Sequence, residues 1–228
     1  MTDRTRNSLT RTATTLAFTL LICLASFVSF PFPGLIPVTV QNFIAVLAAL
    51  ILGGTQGTGA VGLFLLLGAL GLPVFSGNKG GWEAFTGATG GYLWGYFAAA
   101  LVSGLIAGTP HFFEKKFDIK NWIRIGIASI VGFALIYLTG IPWFIHFMGE
   151  QGTEYTVSDA MSLAFTPFIS IDFIKIIVSI PLAALLRPVV AKILYPNDEK
   201  ELEELMAGLK KRGDLMNRIT GKNKKNRK

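Results

Sequence analysis

Cysteine is all but missing from this chain: Cys23 is the one copy among 228 residues. That excludes an internal disulfide and argues against a thiolate zinc site. Charge is also scarce, at 15% Asp, Glu, Lys and Arg, against about 25% in soluble domains. Histidine occurs twice, as His111 and His146, and no metal-ligand cluster surrounds either. No Lys-Ser/Thr follows the glycines of the stretch Gly77–Gly95, so a phosphate-binding loop is excluded as well. What fills the chain instead is apolar: 51% of it is hydrophobic, in runs too long and numerous for one signal peptide. No small-residue cleavage site follows the first run, and a membrane class is expected.

A spanning helix needs about 20 mostly apolar residues, fewer where protein covers it. Six candidates emerge, at about Thr12–Phe30, Thr39–Gly53 (or from Pro37), Thr58–Leu72, Thr89–Gly108, Asn121–Met148 and Pro167–Leu194. Gly140 and Pro142 are expected to bend or end the fifth, and Pro181 to kink the sixth. The expected fold is an all-α integral membrane protein, a bundle of six transmembrane helices. Its parts are an N-terminal segment 1–11, a membrane domain 12–194 and a C-terminal unit 195–228.

The net charge of +7 follows topology and not a nucleic-acid footprint. All but Lys79 and Lys175 of the 21 lysines and arginines lie at the N-terminus, between spans four and five, or at the end of span six and beyond. The positive-inside rule then puts both termini in the cytoplasm of a multi-pass protein of the cell membrane. The loop after span five carries Glu150, Glu154 and Asp159 without a cation, as suits the outer side. In the tail, "NDEKELEELMAGLKKRG" has the acid-to-base order of a capped helix, with Leu202, Leu205, Met206 and Leu209 in one stripe. The closing "GKNKKNRK" is expected to be disordered over anionic lipid. The tail fits either a topological anchor or a contact with a cytoplasmic partner.

Lys79 and Lys175 are the anomalies, and both belong to the outer side. Lys175 lies inside span six, three residues after Asp172, so the two share a helix face. An ionisable pair within a span marks a functional site by default, although an ion pair without a ligand has the same spacing. Near them in topology, the stretch "GNKGGWEAFTGATGGYLWGY" breaks the hydrophobic pattern. Gly77, Gly80 and Gly81 permit a loop that folds down tightly as a lid. Gly87, Gly91 and Gly95 recur every four residues, with Gly104 and Gly108 beyond, and make a helix face for close packing. Trp82, Tyr92 and Trp143 suit either the flat walls of a pocket or interfacial anchoring.

Three segments combine into a larger pattern: "PVTVQNFIAVLAALILGGTQG", then "GALGLPVFSGNKGGWEAFTGATGGYLWGYFAAALVSG", then "TPFISIDFIKIIVS". Their order resembles the BioY family, the biotin-binding S-components of energy-coupling-factor vitamin transporters. The likeness rests on Leu72-Pro73-Val74-Phe75, the glycine-rich loop, Thr89-Gly90-Gly91-Tyr92-Leu93, and the Pro-Phe-Ile, Asp, Lys pattern of span six. It covers about Ala13 to Leu194. Ala88 stands where the family usually has proline, and the basic tail is longer than the family pattern.

The resemblance implies capture of biotin from outside, with a transmembrane coupling subunit and two ATPases supplying energy. It places Asn78 at the ligand's ring, and Asp172 and Lys175 as the polar pair of the last helix. It also implies that an alanine motif in span one, here Ala13 and Ala17, meets the coupling subunit; alone, such alanine pairs are common in packed membrane helices. Biotin has a urea edge, a thioether, and a chain ending in carboxylate. Asn78 offers both a donor and an acceptor, Asp172 accepts, and the Lys175 ammonium suits an acid. No cofactor and no nucleic acid are expected. The competing readings are an S-component for another vitamin and, from a different class, an intramembrane enzyme. His111 and His146 fall on opposite sides of the expected topology and cannot form an acid–base pair.

Overall fold

A computed structural model describes residues 3–30, 38–111, 114, 118–195 and 206–213, with side chains from residue 7 on. Among the described residues up to 195, the helices are, in order, α1 (Asp3–Ala25), α2 (Gln41–Leu52), α3 (Gly54–Ala69), α4 (Glu83–Thr86), α5 (Gly90–Ala107), α6 (Ile119–Glu150), α7 (Val157–Ala164) and α8 (Thr166–Leu194). A two-residue antiparallel ribbon, β1 (Ser29–Phe30) with β2 (Val38–Thr39), precedes α2. The expected residues Lys115, Lys116, Leu202, Leu205 and the closing "GKNKKNRK", and the side chains of Arg4 and Arg6, lie outside the described residues. Stretch 206–213 is helical, and Met206 and Leu209 on it are exposed.

Among the described residues, four helices are long and apolar enough to cross a membrane: α1 from Asn7, α5, α6 and α8. The second span is shorter than the sequence suggests, and the third starts four residues earlier and ends three earlier than expected; both fall short of a bilayer. The twelve residues of α2 reach about 18 Å and the sixteen of α3 about 24 Å, against a hydrocarbon core of about 30 Å. Burial explains how so short an apolar helix is used. Every residue of α2 from Ala45 to Leu52 is buried, so protein and not lipid surrounds it. Lipid-type surface lies outside instead, where Leu20, Leu138, Ile130 and Phe173 are all more than half exposed.

Helix α6 does not end at Gly140 or Pro142, and α8 runs through Pro181 and Pro188. Proline is tolerated inside membrane helices because neighbours and local adjustments satisfy the freed carbonyls.

The helices are held close by small residues and by hydroxyl bonds. A Cβ built on Gly95 would sit 2.4 Å from Thr139 Oγ1 and 2.9 Å from the Ile136 Cα, so α5 and α6 touch along the glycine face. At the turn between α2 and α3, Gly53 has φ 80°, and a Cβ there would meet the Gly108 carbonyl at 2.8 Å. Thr19 donates to the Ala60 carbonyl at 3.0 Å, joining α1 to α3, and the Ser129 and Ser179 hydroxyls meet at 2.8 Å between α6 and α8. These three buried hydroxyls thus find partners across helices, as an apolar surrounding favours.

The chain alternates between two ends of the bundle. At one end, Gln41 of α2 reaches the Ile22 carbonyl of α1 and the Val74 carbonyl after α3. At the other, Arg11 of α1 donates to the Leu194 carbonyl at 3.1 Å and lies over the Tyr195 ring. There too Arg187 gathers the ends of α2 and α5. The start of α1 and the end of α8 therefore share one end of the bundle.

Candidate functional site

A cavity of about 200 Å³ opens at the end of the bundle away from Arg187. Gln41 and Asn42 at the start of α2, with Lys175 of α8, line its polar side. Tyr92, Leu93 and Tyr96 of α5 and Ile136 and Tyr137 of α6 form largely apolar walls, and Phe168 closes them from α8. The hairpin after α3 contributes Phe75, Ser76, Gly77 and Lys79. A concave, mostly apolar space with a few converging polar groups is the usual form of a small-molecule site.

The polar side is one connected cluster. Asp172 and Lys175, spaced one helical turn apart, meet at 2.7 Å with side chains only 6% and 12% exposed. Lys175 also donates to Asn42 Oδ1 at 2.9 Å and to the Thr39 carbonyl at 2.8 Å. Its three N–H groups are thereby engaged within the protein. On the acid, Oδ1 accepts from Lys175 and, at 3.4 Å, from Asn42, and Oδ2 accepts from the Tyr137 hydroxyl at 2.5 Å. A buried ion pair is tolerable only when such extra hydrogen bonds satisfy both partners. Tyr137 is itself held edge-on by Phe165, ring centres 4.9 Å apart, and by Tyr92 at 6.2 Å.

Of the residues expected from sequence, Lys175 and Tyr92 line the cavity, and Asp172 stands just behind the lining, bonded to its Lys175 and Tyr137. Tyr92 is a buried wall whose hydroxyl donates to the Ala164 carbonyl at 3.3 Å. Asn78 stands elsewhere, at the exposed tip of the hairpin with φ 57°, outside the cavity lining. Trp82 is 61% exposed, stacks on Phe85 and also lies outside the lining. Trp143 packs behind the wall, donating from Nε1 to the Gly87 carbonyl at 2.9 Å. Ala13 and Ala17 are exposed on the outer face of α1. His146, beside Glu150 at 3.4 Å, lies within α6 near its cavity end, whereas His111 follows α5 at the opposite end.

Thr39, Gln41, Asn42, Tyr96 and Tyr137 line the site without having been singled out from sequence. Gln41 and Asn42 carried a legible signal, two adjacent amides at the border of an apolar run. Tyr137 carried none, because a tyrosine within a long apolar helix is commonplace. Among the described residues no group of His, Cys, Asp and Glu is arranged to hold a metal ion.

Comparison with known proteins identifies relatives of the whole chain. The "Biotin transporter BioY" of Thermotoga maritima is 38% identical over 173 residues, covering 75% of this chain and 91% of that protein. "Biotin transporter BioY2" of Lactococcus lactis is 37% identical over 156 residues, 68% of this chain and 78% of that protein. Among solved structures, the S-component for biotin from an ECF-type ABC transporter superposes with a TM-score of 0.67 at 26% identity. That match covers 82% of this chain and 94% of the solved one. The model of the BioY family matches residues 1–192, which include every helix from α1 through the Lys175 and Arg187 positions of α8, and the chain belongs to that family.

Proposed function

We propose that this chain captures biotin in the cavity beside Asp172 and Lys175 and serves as the substrate-specific subunit of an energy-coupling-factor transporter. The observation that carries the reading is the Asp172–Lys175–Asn42–Tyr137 cluster at one side of an otherwise apolar cavity, in a chain of this family. A urea edge needs acceptors for its N–H groups and a donor for its carbonyl. Asp172 Oδ2 retains a lone pair beyond the Tyr137 bond, and the Tyr96 and Gln41 side chains supply further polar atoms. The tyrosine and isoleucine walls suit the thioether ring and the alkyl chain. Asn78 and Trp82 join the site in this reading when the hairpin closes further; Gly77 and Gly81, with φ 76° and 85°, lie on either side of Asn78.

The rest of the reading follows the charge pattern. Six crossings, with the short α2 shielded by protein, put segment 1–11 and unit 195–228 in the cytoplasm and the cavity on the outer face. ATP is handled by separate ATPase subunits through a transmembrane coupling subunit, which docks on the α1 face that exposes Ala13 and Ala17. Replacing both alanines with tryptophan is expected to abolish uptake and co-purification of the coupling subunit while biotin binding in detergent persists. Uptake at the parent rate would remove the docking assignment.

The test of function is calorimetric titration of the purified protein with biotin and with a panel of other vitamins. Biotin is expected to bind at one site per chain and the others not to compete. Binding of a different vitamin in place of biotin would reassign the chain to another substrate, and the cluster with it.

A further inference from the structure

The Lys175 ammonium is already satisfied: Asp172, Asn42 and the Thr39 carbonyl take its three N–H groups at 2.7, 2.9 and 2.8 Å. A ligand acid could reach it only by breaking one of these bonds inside a buried cluster, at the cost of a desolvated, unpaired polar atom. Two lysines line the cavity, and the other is Lys79. It is exposed, and among the described residues no hydrogen bond or ion pair engages its ammonium. Its direction has a backbone cause. Phe75 and Lys79 pair across the hairpin, N–H to carbonyl at 2.9 and 3.2 Å, so their side chains leave the ribbon on one face. Phe75 is buried on that face, and Lys79 follows it to the cavity rim.

The same hairpin holds a second, independent feature. Ser76 Oγ lies in the cavity lining, is buried, and has no hydrogen-bond partner. Orphaned buried hydroxyls are uncommon in native proteins, and one facing a cavity points to a partner that enters it.

We propose that the Phe75–Lys79 hairpin is the acid-recognising end of the site. The Lys79 ammonium and the Ser76 hydroxyl meet the ligand's carboxylate at the rim, while the Asp172–Lys175 cluster takes its polar ring below. This rests on the reading of the cavity as a biotin site, and it divides the two lysines by role: Lys175 shapes the ring pocket, Lys79 reads the acid. A rim charge in contact with water is screened by salt, so its contribution declines as ionic strength rises.

The experiment is titration of the full-length protein in detergent with biotin and with biotinamide, in which an amide replaces the acid, at low and high sodium chloride. Lys79→Met is expected to weaken biotin about fivefold at low salt and to leave biotinamide unchanged. The salt dependence of biotin binding disappears in this variant, and Lys79→Arg restores both affinity and salt dependence. Ser76→Ala weakens biotin about threefold, as expected for the loss of one hydrogen bond. Lys175→Met weakens both ligands alike. If Lys79→Met binds biotin with the parent's affinity and salt response, or weakens both ligands equally, the hairpin is not the acid subsite, although biotin binding by the parent stands. If the parent binds neither ligand, the biotin reading fails and takes the subsite with it.

Discussion

Helix α8 carries two buried ion pairs, Asp172–Lys175 near one end and Arg187–Glu114 about 18 Å further along. Both are short, at 2.7 Å, and both are backed by backbone carbonyls. Their surroundings differ. Lys175 borders a cavity, and the polar groups around it face space of ligand size. Arg187 is wholly enclosed, at 0% exposure. It donates to the Leu50 carbonyl at 2.5 Å, to the Ala107 and Gly108 carbonyls at 2.9 and 3.1 Å, and with two nitrogens to Glu114. Those carbonyls end α2 and α5, where the helix dipole is negative and a cation is favoured. Arg124 and Asn121 of α6 complete the knot on Glu114 and on each other. The same chemistry on the same helix thus makes a closed fastening at one end and a cavity-bordering cluster at the other. Access, and not the ion pair, distinguishes them.

The largest expected effect comes from breaking the fastening. Arg187→Leu leaves Glu114 buried and several helix-end carbonyls bare, which should cost about 3–5 kcal/mol of stability. Thermal unfolding in detergent measures it, and the fraction that remains folded should bind biotin as the parent does. Breaking the other pair should reverse the pattern. Asp172→Asn puts donors where the urea also donates, so biotin affinity is expected to fall by at least about two orders of magnitude, a loss of about 2.7 kcal/mol. Insertion and melting should change less than for Arg187→Leu. If Asp172→Asn unfolds the protein and keeps its affinity, the two clusters have been assigned the wrong way round.

A change between the two clusters sharpens the comparison. Gly95→Ala drives a methyl toward Thr139 Oγ1 and the Ile136 backbone and pushes apart the helices that carry Tyr92, Tyr96 and Tyr137. Overpacking of this kind costs about 1–3 kcal/mol. Biotin affinity should fall along with the melting temperature, because the wall itself moves. The smallest effect lies outside the bundle, in α7. Thr156 donates its hydroxyl and its backbone N–H to Asp159, which holds that carboxyl below the ordinary aspartate range. A lowered acid stabilises at every pH above the ordinary range, and its contribution fades as pH falls through the lowered value. Protection from hydrogen exchange over Val157–Ala164, taken relative to the intrinsic rate at each pH, should therefore fall only in that acidic window, and Asp159→Asn should lower it at neutral pH as well.

Much of this molecule was legible before any coordinates. Of the glycines expected to form one face, Gly91 and Gly95 do mark the side that α5 turns to α6, because a helix surface without side chains admits a neighbour; Gly87 lies before α5, at the end of α4. Asp172 and Lys175 declared themselves through spacing and through the cost of charge in an apolar run. Asn78 read as a site residue by likeness, yet its φ of 57° holds it at an exposed hairpin tip, and its neighbours Ser76 and Lys79 reach the cavity instead. Arg187 read as one more cytoplasmic cation under the positive-inside rule. Its full burial depends on the Glu114 carboxylate, 73 residues earlier in the chain, and no local pattern announces such a pairing.

Hydropathy and charge, which act over neighbouring residues, were enough to determine a helical membrane protein with its cations collected toward one side and an ionisable pair in its last helix. The tertiary structure alone decided which polar groups meet across helices. It brought Asn42 and Tyr137 to Asp172 from 130 and 35 residues away. It also buried the short α2 from Ala45 to Leu52, and it closed one α8 ion pair against carbonyls while leaving the other beside a cavity. The physical reason is that hydrogen bonds and cavities depend on distances of a few ångströms between remote segments. Such distances are set by how the glycine-faced helices pack, and composition and periodicity do not encode them.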